Sequence, residues 1–174
     1  MKKTQTTNVK KAAAVAMMTA LYVVLERMAA INVWNMKLNV AFIPLMVVAY
    51  LFGPVGSITV AVLGDIIGTL LFPTGAYFPG FTATAALTGL IFGFALKNDY
   101  STVKSVSAIV INQLLVSLLA NTLMISYLFG TPFKTLLFST RIWQAIVMTA
   151  VEIIFAQLFF KKVDLRKILK FSDT

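Results

Sequence analysis

Cysteine and histidine are both missing from the 174 residues. Without thiols there is no disulfide framework and no thiolate metal site. Without imidazole the chain lacks the commonest metal ligand and the side chain that titrates near neutral pH. Charge is also scarce, at 12% of residues, with only six acidic side chains. No G-x-x-x-x-G-K-[ST] phosphate loop is present, which excludes ATP hydrolysis by that route. No two carboxylates stand close enough in sequence to suggest a hydrolytic pair. The sequence therefore points away from an enzyme and implies no cofactor.

What is abundant is apolar surface. Hydrophobic residues make up 59% of the chain and the mean hydropathy is +0.89, against roughly 45–50% apolar content in soluble domains. A soluble fold of this length has no interior large enough for them. The net charge of +9 raises the question of nucleic acid, but the basic residues flank apolar runs, which fits anionic lipid headgroups instead. A lipid bilayer is the expected partner, and nucleic acid is not.

Each membrane span needs roughly 20 mostly apolar residues, because a helix rises 1.5 Å per residue through about 30 Å of hydrocarbon. Segments 9–30, 40–52, 57–71, 81–96, 103–129 and 138–160 qualify, the second and third short enough that a re-entrant pair is the alternative. Gly53-Pro54-Val55-Gly56 predicts a tight turn between them. The expected fold is an all-α membrane protein, a bundle of six transmembrane helices. Residues 1–8 form a basic N-terminus, 9–162 the bundle and 163–174 a basic tail, in a single membrane domain. Lys2, Lys3, Lys10, Lys11, Lys97, Lys104 and the C-terminal basic residues fall on one side of six spans, while the other side holds Lys37 and Lys134. The positive-inside rule then places both termini in the cytoplasm. The charged start resembles a signal peptide, yet no small-residue cleavage site follows, so it reads as the lead into a retained helix.

In lipid, helices associate where small side chains let backbones approach. Three stripes have the four-residue spacing: Gly64 with Gly68, Gly89 with Gly93, and Ala12, Ala16 and Ala20. The glycine pairs are expected to pack the bundle internally. The alanine stripe is either internal packing or a smooth surface for another protein.

Ionisable residues inside spans mark function by default. Glu26, Arg27, Asp65, Arg141 and Glu152 are such residues, and Arg27, Asp65 and Arg141 fall at similar depth toward the outer side. Arg27 and Asp65 are either a structural ion pair or part of a site; Glu152 has no partner that the sequence identifies. Helix six offers Arg141, Gln144, Ala145 and Met148 on one face, and helix five offers Ser117 and Asn121. Such groups either tie helices together or read the polar edge of a flat ligand. Trp34 and the loop Phe72-Pro73-Thr74-Gly75-Ala76-Tyr77-Phe78-Pro79-Gly80 supply aromatic surface, either as an interfacial belt or as a stiff lid.

Length, span count, the Ala12-x-x-x-Ala16-x-x-x-Ala20 stripe and the enclosing loops resemble the substrate-binding S components of energy-coupling factor (ECF) vitamin transporters of the bacterial cell membrane. The run from Phe72 through Thr82, with Arg27, is most similar to the folate-specific FolT type. The resemblance implies that the alanine stripe meets a transmembrane coupling subunit joined to two ATPase subunits. It also implies a vitamin held near the outer face and delivered inward by toppling of the S component.

For folate, Asn39, Asp65, Asn121 and Gln144 would read the pterin, with Phe42, Tyr77, Phe78 or Trp143 as aromatic surface. Arg27, Arg141, Lys37 or Lys134 would meet the glutamate carboxylates. Biotin, riboflavin, thiamin or pantothenate are the alternative vitamins. A stand-alone secondary transporter, or a membrane scaffold without ligand, is the alternative from another class.

Overall fold

The computed structural model describes residues 2–33, 36–73, 77–97 and 101–162, which form five helical runs and one small hairpin. The longest uncharged stretch of helix α1, Lys2–Arg27, runs from Ala12 to Leu25. That stretch is about 21 Å long at 1.5 Å per residue, so α1 is not among the four helices long and apolar enough to cross a membrane. The first expected span reached residue 30, but the helix stops at Arg27. Beyond it, where a loop was expected, strands β1 (Ile31–Val33) and β2 (Met36–Leu38) pair antiparallel with Asn32 opposite Lys37. Trp34, residues 74–76 of the second loop and the tail from 163 lie outside the described residues.

Helix α2, Phe42–Leu71, contains both the second and third expected spans, interrupted at Gly53 (φ 67°, ψ −156°). That backbone region penalises any residue with a Cβ, and Pro54, which lacks an N–H, follows it. A methyl group placed on Gly56 would lie 3.1 Å from Val48 Cγ1, whereas eight residues of straight helix span about 12 Å. The run therefore folds sharply back on itself where Gly53-Pro54-Val55-Gly56 predicted a turn.

Helix α3, Pro79–Leu96, starts on a proline, whose fixed φ suits a first helical turn. It packs on α2 through Gly89 and Gly93: a methyl on Gly89 would sit 2.8 Å from the Ser57 carbonyl oxygen, and one on Gly93 would strike Pro54 Cα. Ser57 Oγ donates to the Gly89 carbonyl at 2.6 Å, adding a hydrogen bond to the close approach. On the α1 side of α2, Gly64 accommodates the Tyr22 ring and Gly68 the Arg27 side chain. Both glycine pairs thus serve internal packing. Ala12, Ala16 and Ala20 instead lie exposed along α1.

Helix α4, Thr102–Phe129, and helix α5, Phe133–Phe160, complete the described bundle. Gly130 separates them in the left-handed conformation (φ 63°) that ends many helices. Both helices contain π-helical stretches, Asn112–Asn121 and Leu137–Arg141. The core gathers around Leu45, Met46, Val48, Val60, Phe92, Leu96 and Ile109, at the Gly53 end of the helices. Polar side chains accumulate toward the other end.

Candidate functional site

A cavity of about 660 Å³ opens between the helices, bounded by all five and by residues that follow β2 and precede α3. Pockets for small organic ligands occupy roughly 300–1,000 Å³, so this one is of ligand size.

Arg27, the last residue of α1, is held by α2. Its Nη2 donates to Thr69 Oγ1 at 2.9 Å and lies 3.6 Å from Asp65 Oδ1. The other Asp65 oxygen accepts from Thr82 Oγ1 at 2.7 Å, and Tyr77 Oη lies 3.0 Å from the same Thr82 oxygen. Because the single Thr82 proton goes to the carboxylate, Tyr77 is the donor in that last bond. One polar chain therefore runs from the second loop through α3 and α2 to the end of α1.

Across the cavity, Arg141 Nη1 reaches Gln144 Oε1 at 3.4 Å, and Asn121 Oδ1 lies 2.9 Å from Thr84 Oγ1. Asn39 Oδ1 accepts from the Ala41 N–H at 3.2 Å, which fixes the amide at the start of α2. Phe42 packs edge-on against Phe155, with centroids 5.5 Å apart. Farther along α4 and α5, Gln113 Nε2 donates to Glu152 Oε1 at 2.7 Å in a fully buried bond. This is the partner of Glu152 that sequence alone did not reveal.

The lining includes Arg27, Asn39, Phe42, Asp65, Tyr77, Phe78, Asn121, Arg141 and Gln144, brought together from six separate stretches of chain. Trp143 is placed elsewhere: it is 62% exposed and does not line the cavity. Arg141, Gln144, Met148 and Glu152 recur every three or four residues on the inner face of α5, and Trp143 falls off that face. Lys134 is exposed and outside the lining, and the Lys37 side chain lies outside the described residues.

Sequence reasoning missed Tyr22, Thr69, Thr84, Asn112 and Gln113 as lining residues. Asn112 and Gln113 carried a usable signal, two amides inside an apolar run. The π-helical stretch explains why they face inward together with the others. Its i→i+5 hydrogen bonds widen the turn, and the lining pairs Asn112 with Ser117 and Val116 with Asn121 stand five residues apart.

This arrangement suits reversible capture of an elongated ligand. From Arg141 to Glu152 the inner face of α5 extends about 16 Å at 1.5 Å per residue, with an arginine at one end and a buried carboxyl group hydrogen-bonded to an amide at the other.

Comparison with known proteins gives the geometry a family. A family model described as "ECF-type riboflavin transporter, S component" matches residues 6–164. The folate transporter FolT of Clostridium novyi (strain NT) is 33% identical over 162 residues, covering 90% of this chain and 94% of that protein. The folate transporter FolT of Leuconostoc mesenteroides subsp. mesenteroides is 35% identical over 85 residues, 48% of this chain and 45% of that one. Among solved structures, the crystal structure of FolT bound with folic acid aligns with a TM-score of 0.83 at 25% identity, covering 89% of this chain and 95% of that one. The chain belongs to the S components of ECF-type transporters, membrane proteins that bind and pass on a substrate and are not enzymes.

Proposed function

We propose that the chain is the folate-binding S component of an ATP-driven importer in a bacterial cell membrane. The cavity is the observation that carries this reading. It combines two arginines with a row of amides and aromatic rings, the inventory that a flat pterin joined to a dianionic glutamate requires. The likeness to proteins described as folate transporters supports it.

In this reading Arg27, Asn39, Phe42, Asp65, Tyr77, Phe78, Asn121, Arg141 and Gln144 contact the vitamin. The chain is one membrane domain of six spans, α1 and both limbs of α2 included, with residues 1–8 and 163–174 as cytoplasmic flanks. The fold-back at Gly53 supports that count. The exposed Ala12, Ala16 and Ala20 stripe on α1 is the docking face for the coupling subunit, which works with two ATPase subunits. Docking there topples the S component and carries the site inward.

Riboflavin is the second reading, because it is the vitamin in the description of the matching family model. Titrating the purified protein in detergent with folate and riboflavin in parallel separates the two. Saturable folate binding with Kd below about 1 µM, a binding free energy near −8 kcal/mol, is expected. Failure to bind folate at that concentration rules the assignment out.

A further inference from the structure

Helix α4 is pinned to two different neighbours by polar side chains, one toward each end of its π-helical stretch Asn112–Asn121. At the first end, Gln113 Nε2 donates to Glu152 Oε1 of α5 at 2.7 Å. At the other, Asn121 Oδ1 lies 2.9 Å from Thr84 Oγ1 of α3. Between the pins, Leu114, Leu115 and Leu119 are exposed on the outside of the bundle, while Val116 is buried and lines the cavity with Ser117 and Asn121.

The stretch needs such pins. π-helical hydrogen bonding is rare and mostly limited to a single turn, and here it runs over ten residues. In an α-helix, residues five apart are turned about 140° from one another at 3.6 residues per turn. Relaxation to that winding would swing Asn121 away from the side it shares with Val116. The wider winding is therefore held from outside the helix.

The first pin is a carboxyl–amide pair shielded from water. Gln113 and Glu152 are 5% and 3% exposed, and Glu152 has no ion-pair partner among the described residues. A lone charge at that position would stand uncompensated. A neutral carboxyl group is donor as well as acceptor. The buried oxygens without a partner among the described residues include Glu152 Oε2 and, on the facing helix, Gln113 Oε1 and Asn112 Oδ1. Donated to either amide oxygen, the carboxyl proton adds a second bond between α4 and α5, with no part for a ligand.

We infer that Gln113 and Glu152 are positioning residues: as a neutral clamp between helices they hold the π-helical winding of α4, and that winding sets Asn121 against the cavity. The inference rests on the folate reading above, which supplies the ligand used to read it.

Folate titrations and thermal melts of the purified full-length protein in detergent test it. Glu152→Gln keeps a neutral group of the same shape with donor and acceptor, and should bind folate within about threefold of wild type. Glu152→Met keeps the length, removes the hydrogen bonding, and should bind folate at least about tenfold more weakly. Asn121→Ala then separates positioning from packing alone. It should weaken folate binding in wild type, yet cost little more in Glu152→Met, where Asn121 is already displaced.

Wild-type affinity in a folded Glu152→Met overturns the inference and leaves the folate reading intact. So does a Glu152→Gln that loses as much affinity as Glu152→Met, or an Asn121→Ala effect of equal size in both backgrounds. Absence of folate binding by wild type overturns both. Should Glu152→Met fail to fold, Gln113→Met removes the same bond from the α4 side and takes its place in each comparison.

Discussion

Arg27 and Asp65 meet across the α1–α2 interface at 3.6 Å, both largely buried. Glycine makes the meeting possible, because a methyl on Gly68 would lie 2.9 Å from Arg27 Nε. The stripe that brings the helices together therefore also admits the guanidinium to the cavity wall. Removing one partner of a buried pair leaves the other charge uncompensated, at a cost on the order of 3–5 kcal/mol. Arg27→Ala should lower the thermal midpoint in detergent and weaken folate binding at least about tenfold. Adding Asp65→Ala should recover part of the stability without restoring affinity. A ligand titration beside a thermal melt separates these effects, and unchanged affinity in Arg27→Ala would remove Arg27 from the site.

The two glycine stripes should respond differently to alanine. At Gly93 the added methyl strikes the Pro54 backbone, which has no freedom to move aside. Overpacking of this kind costs typically 1–3 kcal/mol, so Gly93→Ala should lower the melting temperature and the yield of folded protein. At Gly68 the obstacle is the flexible Arg27 side chain, and Gly68→Ala should reduce folate affinity more than stability. Gly130 sits in open space at φ 63°. Gly130→Ala should cost only the left-handed backbone penalty of about 1–2 kcal/mol. Melts of the three variants beside wild type check the order.

Hydropathy made α2 through α5 legible because an apolar run in lipid has few alternatives to a helix. The fold-back at Gly53 was legible because Gly-Pro-x-Gly leaves the backbone little choice. The cavity was legible where a polar residue interrupts an apolar face, as at Arg27, Asp65, Asn121 and Gln144. Trp143 was misplaced because an aromatic ring looks alike on an inner face and a lipid-facing one, and only the helix phase decides. Asn112 and Gln113 interrupt an apolar run visibly, but which way they face depends on where a 3.6-residue period widens into a π-helical turn, and sequence gives no sign of that. The hairpin 31–38 escaped for a different reason. Two three-residue strands carry too little periodic pattern to stand out from a loop.

Tyr77 is 53% exposed, yet through Thr82 it is tied to Asp65. A loop that covers a ligand should control escape more than capture. Thr82→Val keeps the side-chain shape and removes the hydroxyl that bridges Tyr77 to the carboxylate. A hydrogen bond to a charged group contributes about 1.5–3 kcal/mol, so folate should dissociate roughly tenfold faster or more from Thr82→Val. The association rate should change far less. Stopped-flow chase with unlabelled folate measures the first, and a change confined to association would show that the chain of bonds does not hold the loop closed.

The alanine stripe calls for a variant that spares the cavity. Ala12, Ala16 and Ala20 are exposed on α1 and none lines the cavity. A surface that meets another helix closely depends on small side chains, so Ala16→Trp should hold the coupling subunit away while leaving the folate site as it is. The expected result is wild-type folate affinity in the isolated protein, with loss of co-purification with the coupling subunit and ATPases and loss of ATP-dependent uptake in proteoliposomes. Ala16→Gly, which keeps the surface smooth, should retain assembly. If Ala16→Trp assembles and transports like wild type, the docking face is elsewhere. Loss of folate binding in Ala16→Trp would instead mean that this face of α1 supports the site.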